Sequence, residues 1–343
     1  MNYRELGQSG LKVSEISLGG DTFGRDIDEK ATQSVIRHAL DLGINYIDTA
    51  DVYGKDGGLS EEFVGRAIKG KRSQVILATK FGVAVGEGSQ QFVSKEGLGT
   101  RAYIMKAVEA SLKRLGTEYI DLYQFHMPDP TTPIEETLRA MDDLVKAGKV
   151  RFIGGSNLPA WELCEALWIS KTAGLKSFVT VQPRYNLLDR HCEEELAPCC
   201  QAYRVGVIPW YPLAGGFLTG KYRRGAELPG GTRFGSNPPM YRWLLTDDNF
   251  NLLERLEKFA LDRGHTIAEL AIAWLLAHPW VNTVIAGVTR PEQLSGNVAA
   301  TNWRLTDEEM QEIDRITDYK TYSEHRPRKY ILSEEYVRVK QSV

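Results

Sequence analysis

The sequence predicts an α/β fold, a closed (β/α)8 barrel of the TIM type, on three observations. Eight short β-rich runs alternate with amphipathic helical segments, the order that builds a parallel sheet with crossover helices. Gly43, Gly116, Gly148 and Gly174 each sit just past a helical segment, where a left-handed residue is needed. No G-x-G-x-x-G follows the first strand, where Ser17-Leu18-Gly19-Gly20 stands instead, so a Rossmann domain is not indicated.

In chain order the barrel strands are expected at Glu15–Leu18, Asn45–Asp48, Val75–Lys80, Asp121–His126, Arg151–Gly154, Phe178–Gln182, Val205–Trp210 and Thr283–Ala286. Helices are expected at Glu29–Leu42, Ser60–Ile68, Arg101–Leu115, Pro133–Ala147, Pro159–Thr172, Glu193–Tyr203 and Thr266–Leu276, with Pro291–Ala300 after the eighth strand. Thr132-Pro133 and Asn157-Leu158-Pro159 put proline at a first helical turn, where its missing N–H costs nothing. Residues 1–343 read as a single barrel domain, with residues 14–318 forming the barrel. Before it, residues 3–13 read as a β-hairpin that could plug the barrel floor. Residues 212–249, rich in Gly, Pro and aromatics, form a long rim insertion, and connections of that length in a compact domain are usually functional. The charged tail 319–343 has too little apolar content to fold alone, so it either drapes over the barrel or is loose.

A chain of 343 residues with 42% hydrophobic content can bury a large core. Lys plus Arg total 42 against 45 Asp plus Glu, and a net charge of -3 gives no electrostatic reason to expect nucleic acid or an anionic membrane. Met1-Asn2-Tyr3-Arg4-Glu5 lacks the apolar run of a signal peptide, and Ile267 to Trp280 is too short to span a bilayer. Cys164, Cys192, Cys199 and Cys200 form no C-x-x-C pair and read as free thiols of a reducing compartment. A soluble cytoplasmic protein is expected; oligomeric state is not legible.

In such a barrel, functional side chains gather where strands end. Those positions give Asp48, Lys80 and His126, with Tyr53 five residues beyond Asp48. Singly, each has a structural reading: a cap, a solvated strand end, a core histidine, a packing aromatic. Jointly they converge on one rim. A phenol is a poor acid at neutral pH, and an ammonium beside it lowers its pKa by stabilising the phenolate. Lys80 supplies that cation and Asp48 the anion that a buried lysine needs. Tyr53 is then the general acid, with His126 hydrogen-bonding to the same substrate oxygen. The set suits protonating an oxygen while something else delivers hydride. No metal site is expected, since no histidine pair has ligand spacing.

The chain resembles the aldo-keto reductases over about residues 3 to 318. The carrying motifs are Asp48-Thr49-Ala50-Asp51-Val52-Tyr53-Gly54, Gly58-Leu59-Ser60-Glu61-Glu62, Thr79-Lys80, Ile120-Asp121-Leu122-Tyr123-Gln124-Phe125-His126, Gly154-Gly155-Ser156-Asn157, Trp210 to Lys221 and Gly287 to Gln293. The Pro212 to Lys221 stretch looks most like the bacterial-type sugar and aldehyde reductases and the potassium-channel β-subunits. The resemblance implies that Asp48, Tyr53, Lys80 and His126 are the catalytic tetrad. It implies that Ser156, Asn157 and Gln182 hold the nicotinamide carboxamide and that Trp210, next to Tyr211, lies against the nicotinamide ring. The backbone of Leu213, Gly215, Phe217, Leu218, Gly220 and Lys221 should follow the pyrophosphate, and Gly19, Gly20, Asp21 and Thr22 should touch the ribose. The 2'-phosphate end would be Gly287, Thr289, Arg290, Gln293 and Asn297, although many relatives place arginine where Thr289 stands and an acidic residue where Gly296 stands. NADP(H) is favoured, with NAD(H) as the alternative.

Phe23, Phe81, Met127, Tyr241 and Trp243 are candidate pocket walls, and the partner expected there is a small carbonyl or alcohol. Two functions stay open from the sequence: an oxidoreductase interconverting a carbonyl and an alcohol, and a nicotinamide-binding regulatory subunit resembling channel β-subunits. A barrel enzyme acting on a phosphorylated ligand at Arg290 is a lesser third.

Overall fold

The computed structural model describes residues 1–55, 57–85, 92–93, 96–236 and 241–317. The tail 319–343, and part of the insertion at 237–240, lie outside the described residues.

Strands β1 (Tyr3–Glu5) and β2 (Lys12–Ser14) pair antiparallel, as the expected hairpin. The barrel strands are β3 (Ile16–Gly19), β4 (Tyr46–Asp48), β5 (Ile76–Phe81), β8 (Ile120–Phe125), β9 (Val150–Ser156), β10 (Phe178–Gln182), β11 (Gly206–Val207) and β12 (Val284–Gly287). A two-stranded excursion, β6 (Ala84–Val85) with β7 (Phe92–Val93), follows β5. The eight barrel strands run parallel in the order β11-β10-β9-β8-β5-β4-β3-β12. The ring closes between its ends: Val207 bridges Val281, and Asn282 and Ile285 donate their N–H groups to Val207 O and Pro209 O. This is the (β/α)8 barrel.

β11 is shorter than the expected Val205–Trp210. Pro183 and Pro209 carry no N–H, so the ladder breaks there and resumes as a single bridge between Arg184 and Trp210. The expected helix Glu193–Tyr203 divides into a 3-10 turn, His191–Glu193, and a helix, Leu196–Tyr203. Two helices absent from the sequence reading, Asp247–Leu261 and Asp307–Thr317, pack against each other.

Inside the barrel, side chains alternate with the pleat and stack in layers. Leu6 and Val13 of the hairpin enter the floor and join Tyr46, Ala78, Leu122, Ile208 and Ile285 in one buried cluster. Two residues further along β4, β5 and β8 the same inward positions hold Asp48, Lys80 and Gln124. The apolar floor thus gives way, one step up, to a buried polar layer at the C-terminal rim.

Candidate active site

Lys80 has no accessible surface, and its Nζ donates to Asp48 Oδ2 at 2.5 Å, Thr49 O at 2.9 Å and the Tyr53 hydroxyl at 3.2 Å. The other Asp48 oxygen accepts from Gln124 Nε2 at 3.1 Å and Gln182 Nε2 at 3.0 Å. A buried charge pair is tolerable only with its remaining lone pairs and protons satisfied, and these four bonds satisfy them. The His126 ring meets Tyr53 edge-on, with centroids 5.8 Å apart. The four residues expected to converge do so.

Their electrostatics differ from the sequence expectation in one respect. Burial, then the carboxylates of Asp48 and Asp21, push the Tyr53 phenol well above its ordinary value, against Arg25 and Arg233. The neighbouring ammonium does not win, because Asp48 compensates it at 2.5 Å. Tyr53 is therefore a neutral phenol in the protein alone. Burial and the Lys80 charge hold His126 well below the usual imidazole range, so it is a neutral ring able to donate one hydrogen bond. Behind Lys80, Asp51 is pushed up to about 8 by burial and by Glu61, which is itself clamped by Thr79 and Arg114.

On the adjoining rim, Asn157 takes φ of 57°, a left-handed value that asparagine tolerates. Its Nδ2 donates to His126 O and Ser156 Oγ, and its Oδ1 accepts the Trp210 indole N–H at 3.1 Å. Ser156 Oγ donates to Gln182 O. Ser156, Asn157, Gln182 and Trp210 are thus one connected set, continuous with Asp48 through Gln182. Tyr211 stands beside Trp210, with ring centroids 5.5 Å apart.

Opposite, Gly20 N donates to Asp48 O, and a Cβ on Gly20 would come within 2.9 Å of Ser60 Oγ. Thr22 Oγ1 donates to Val288 O. The Asp21 carboxylate binds Arg25 and Arg233, each at 2.8 Å, and these cations keep it ionised despite burial. Arg233 belongs to the long insertion, so this pair fastens the insertion across the mouth to the loop after β3. The insertion itself packs through Tyr222, Phe234 and Tyr241, stacked in series at 4.1 and 4.6 Å.

Within the turn after Trp210, Leu213 is half-buried, Phe217 and Leu218 are buried, and Lys221 is exposed. Gly215, Gly216 and Gly220 have φ of 67°, 93° and 73°, and a Cβ at Gly215 would strike the Tyr211 hydroxyl. Gly287, which ends β12, and Arg290 beyond it are exposed, and Asn297 is buried. Gln293 Oε1 accepts the N–H groups of Thr289 and Arg290, which ties the turn to the helix Pro291–Ala299.

Two expected pocket walls are packing residues instead. Phe23 and Phe81 have no accessible surface, and Phe81 stacks on Tyr123 and Phe125 beneath the outer helices. Strand parity explains Phe81: Lys80 points in, so its neighbour points out. Tyr241 is buried in the insertion's stack, Trp243 lies under Arg184 at 5.0 Å, and Met127 is half-buried. Among the described residues, no cluster of three His, Cys, Asp or Glu could hold a metal, and no helix is long and apolar enough to cross a membrane.

Sequence reasoning missed Gln124, Arg25 and Arg233. Gln124 was findable, because period two from Leu122 to His126 points it inward. The family comparison fits this geometry: residues 15–318 match the model of the aldo/keto reductase family. The chain belongs to the aldo/keto reductase family. It is 39% identical over 329 residues to the "Putative voltage-gated potassium channel subunit beta" of Schizosaccharomyces pombe, covering 92% of this chain and 93% of that protein. It is 37% identical over 325 residues to aldo-keto reductase YhdN of Bacillus subtilis, covering 93% and 94%. Against the L-glyceraldehyde 3-phosphate reductase of Escherichia coli O157:H7 it is 34% identical over 326 residues, covering 92% of each.

Proposed function

We propose that this aldo/keto reductase reduces a small aldehyde or ketone to the alcohol, reversibly, with Tyr53 giving the proton and NADP(H) as the dinucleotide. The observation that carries the reading is the 3.2 Å contact of the Lys80 ammonium with the Tyr53 hydroxyl, in a layer closed by Asp48, Gln124 and Gln182.

When bound, the nicotinamide dinucleotide supplies or accepts the hydride. Tyr53, held neutral by burial, donates its proton to the oxygen on which charge develops. Lys80 already points at the phenol oxygen and stabilises the phenolate left behind, drawing on a charge pair fixed before substrate arrives. Neutral His126 donates to the same substrate oxygen and orients it.

The rim suits the dinucleotide by its donor set. Ser156, Asn157 and Gln182 would hold the carboxamide, and Trp210, fixed by Asn157, would flank the ring. Lys221 and Arg290 are exposed cations suited to phosphates, and Arg290 also begins a helix. That cation supports NADP(H) over NAD(H), with Gly287, Thr289, Gln293 and Asn297 around it.

The test is turnover against an aldehyde panel, wild type beside Tyr53→Phe. A loss of about a thousandfold in kcat with dinucleotide affinity kept is the expected result. Equal NADPH consumption by the two proteins would overturn the acid role. The similarity to a named channel subunit supports a second reading, a regulatory barrel that binds nicotinamide without turning over. Tight NADPH binding with no turnover of any panel member would favour it.

A further inference from the structure

Cys164 lies on the helix Ala160–Ala173 and Cys199 on the helix Leu196–Tyr203, and their sulfurs are 3.1 Å apart. A disulfide spans about 2.05 Å, so closing the gap takes a shift of about 1 Å between neighbouring helices. Both thiols are partly exposed, whereas Cys192 and Cys200 are buried. A small oxidant in solution therefore reaches one pair and not the others. Burial and Cys164 beside it push Cys199 up to about 12.

We propose that Cys164 and Cys199 form a reversible disulfide in response to hydrogen peroxide. The Cys164 thiolate attacks the peroxide, the O–O bond breaks, and Cys164 becomes a sulfenic acid as hydroxide leaves and is protonated. The Cys199 sulfur then attacks the Cys164 sulfur. The S–O bond breaks, the Cys199 proton leaves with the hydroxyl as water, and the S–S bond forms. In total, two thiols and one peroxide give one disulfide and two waters. A small dithiol reverses the step by exchange.

The cross-link bears on the barrel mouth through chain order. The helix carrying Cys164 follows β9, which ends at Ser156, and the helix carrying Cys199 leads into β11 and Trp210. Oxidation ties together the two segments that Trp210 and Asn157 already join at the rim. It closes a loop of 35 residues in sequence separation, so the oxidised protein is the more heat-stable.

The experiment uses the reduced full chain, treated with hydrogen peroxide, denatured, and labelled with a maleimide. The four cysteines should take four labels before oxidation and two after, with four restored by dithiothreitol. The melting temperature should rise by about 5 °C on oxidation. Cys192, Cys199 and Cys200 share one tryptic peptide, so the bridge is assigned in a Cys192→Ser/Cys200→Ser variant, where it should persist. Cys164→Ser and Cys199→Ser should each abolish it, with Cys164→Ala and Cys199→Ala replacing either one that does not fold. Four labels after peroxide, an end product of sulfinic acid, or a bridge through Cys192, Cys200 or a second molecule would each overturn the proposal.

Discussion

Lys80 and Asp48 form a salt bridge of 2.5 Å in which the lysine is wholly buried. The pair hangs between β4 and β5, whose backbone register puts Asp48 opposite Ala78, two residues below Lys80. The three hydrogen bonds of the Lys80 ammonium go to the Asp48 carboxylate, Thr49 O and the Tyr53 hydroxyl.

From that placement, Lys80→Met should cut turnover at least a hundredfold while dinucleotide affinity stays within tenfold. Steady-state kinetics beside fluorescence titration with NADPH separate the two. A large loss of binding with chemistry intact would contradict the assignment.

His126 is held well below the usual imidazole range, by burial first and then by Lys80. It stays neutral through the physiological range, so the reduction rate should show no histidine inflection between about pH 6 and pH 8. The sign for stability is the opposite of a salt-bridged histidine. The unfolded chain takes up the proton near pH 6.5 and the native state does not, so His126 costs stability as pH falls below about 6.5. His126→Gln should lessen that acid-side loss, as melting curves across pH would report.

The pair between Arg233 and Asp21 joins the long insertion to the opposite rim at 2.8 Å, with each side chain about a quarter exposed. Arg233→Ala should release dinucleotide several-fold faster, with little change in the chemical step. Salt should speed release more steeply in the wild type than in the variant, which lacks this pair but keeps the Lys221 and Arg290 cations. Stopped-flow release measured at two ionic strengths decides it.

Asp51 titrates at about 8, raised first by burial and then by Glu61. A carboxyl raised in the native state opposes folding increasingly as pH climbs from about 4 toward 8. Asp51→Asn removes that term. The variant should gain on the wild type by about 3 °C in melting temperature between pH 5 and pH 8. A constant gap would show that Asp51 is ionised in both states.

Much of this was readable from residue order alone. Asp48, Lys80 and His126 were found because parallel strands deliver side chains to one end, and Tyr53 because a loop of five residues keeps it near. The polar layer was half legible. Gln124 obeys the same alternation as Leu122 and His126, and the same parity turns Phe81 outward from the site. The salt bridge between Asp21 and Arg233 had no local signal, since 212 residues separate the partners. The helix Asp247–Leu261 carries a Thr246 cap and two first-turn aspartates, yet it adjoins a segment rich in glycine and proline that masked its start.

The hairpin at the floor has a consequence for traffic. Leu6 and Val13 stop the lower end as a cork does, so whatever reaches the Tyr53 hydroxyl must arrive and depart by the upper doorway. Two guests sharing one doorway must queue. On the proposed function, a dinucleotide and a carbonyl would share that doorway, and the deeper-seated one would enter first and leave last.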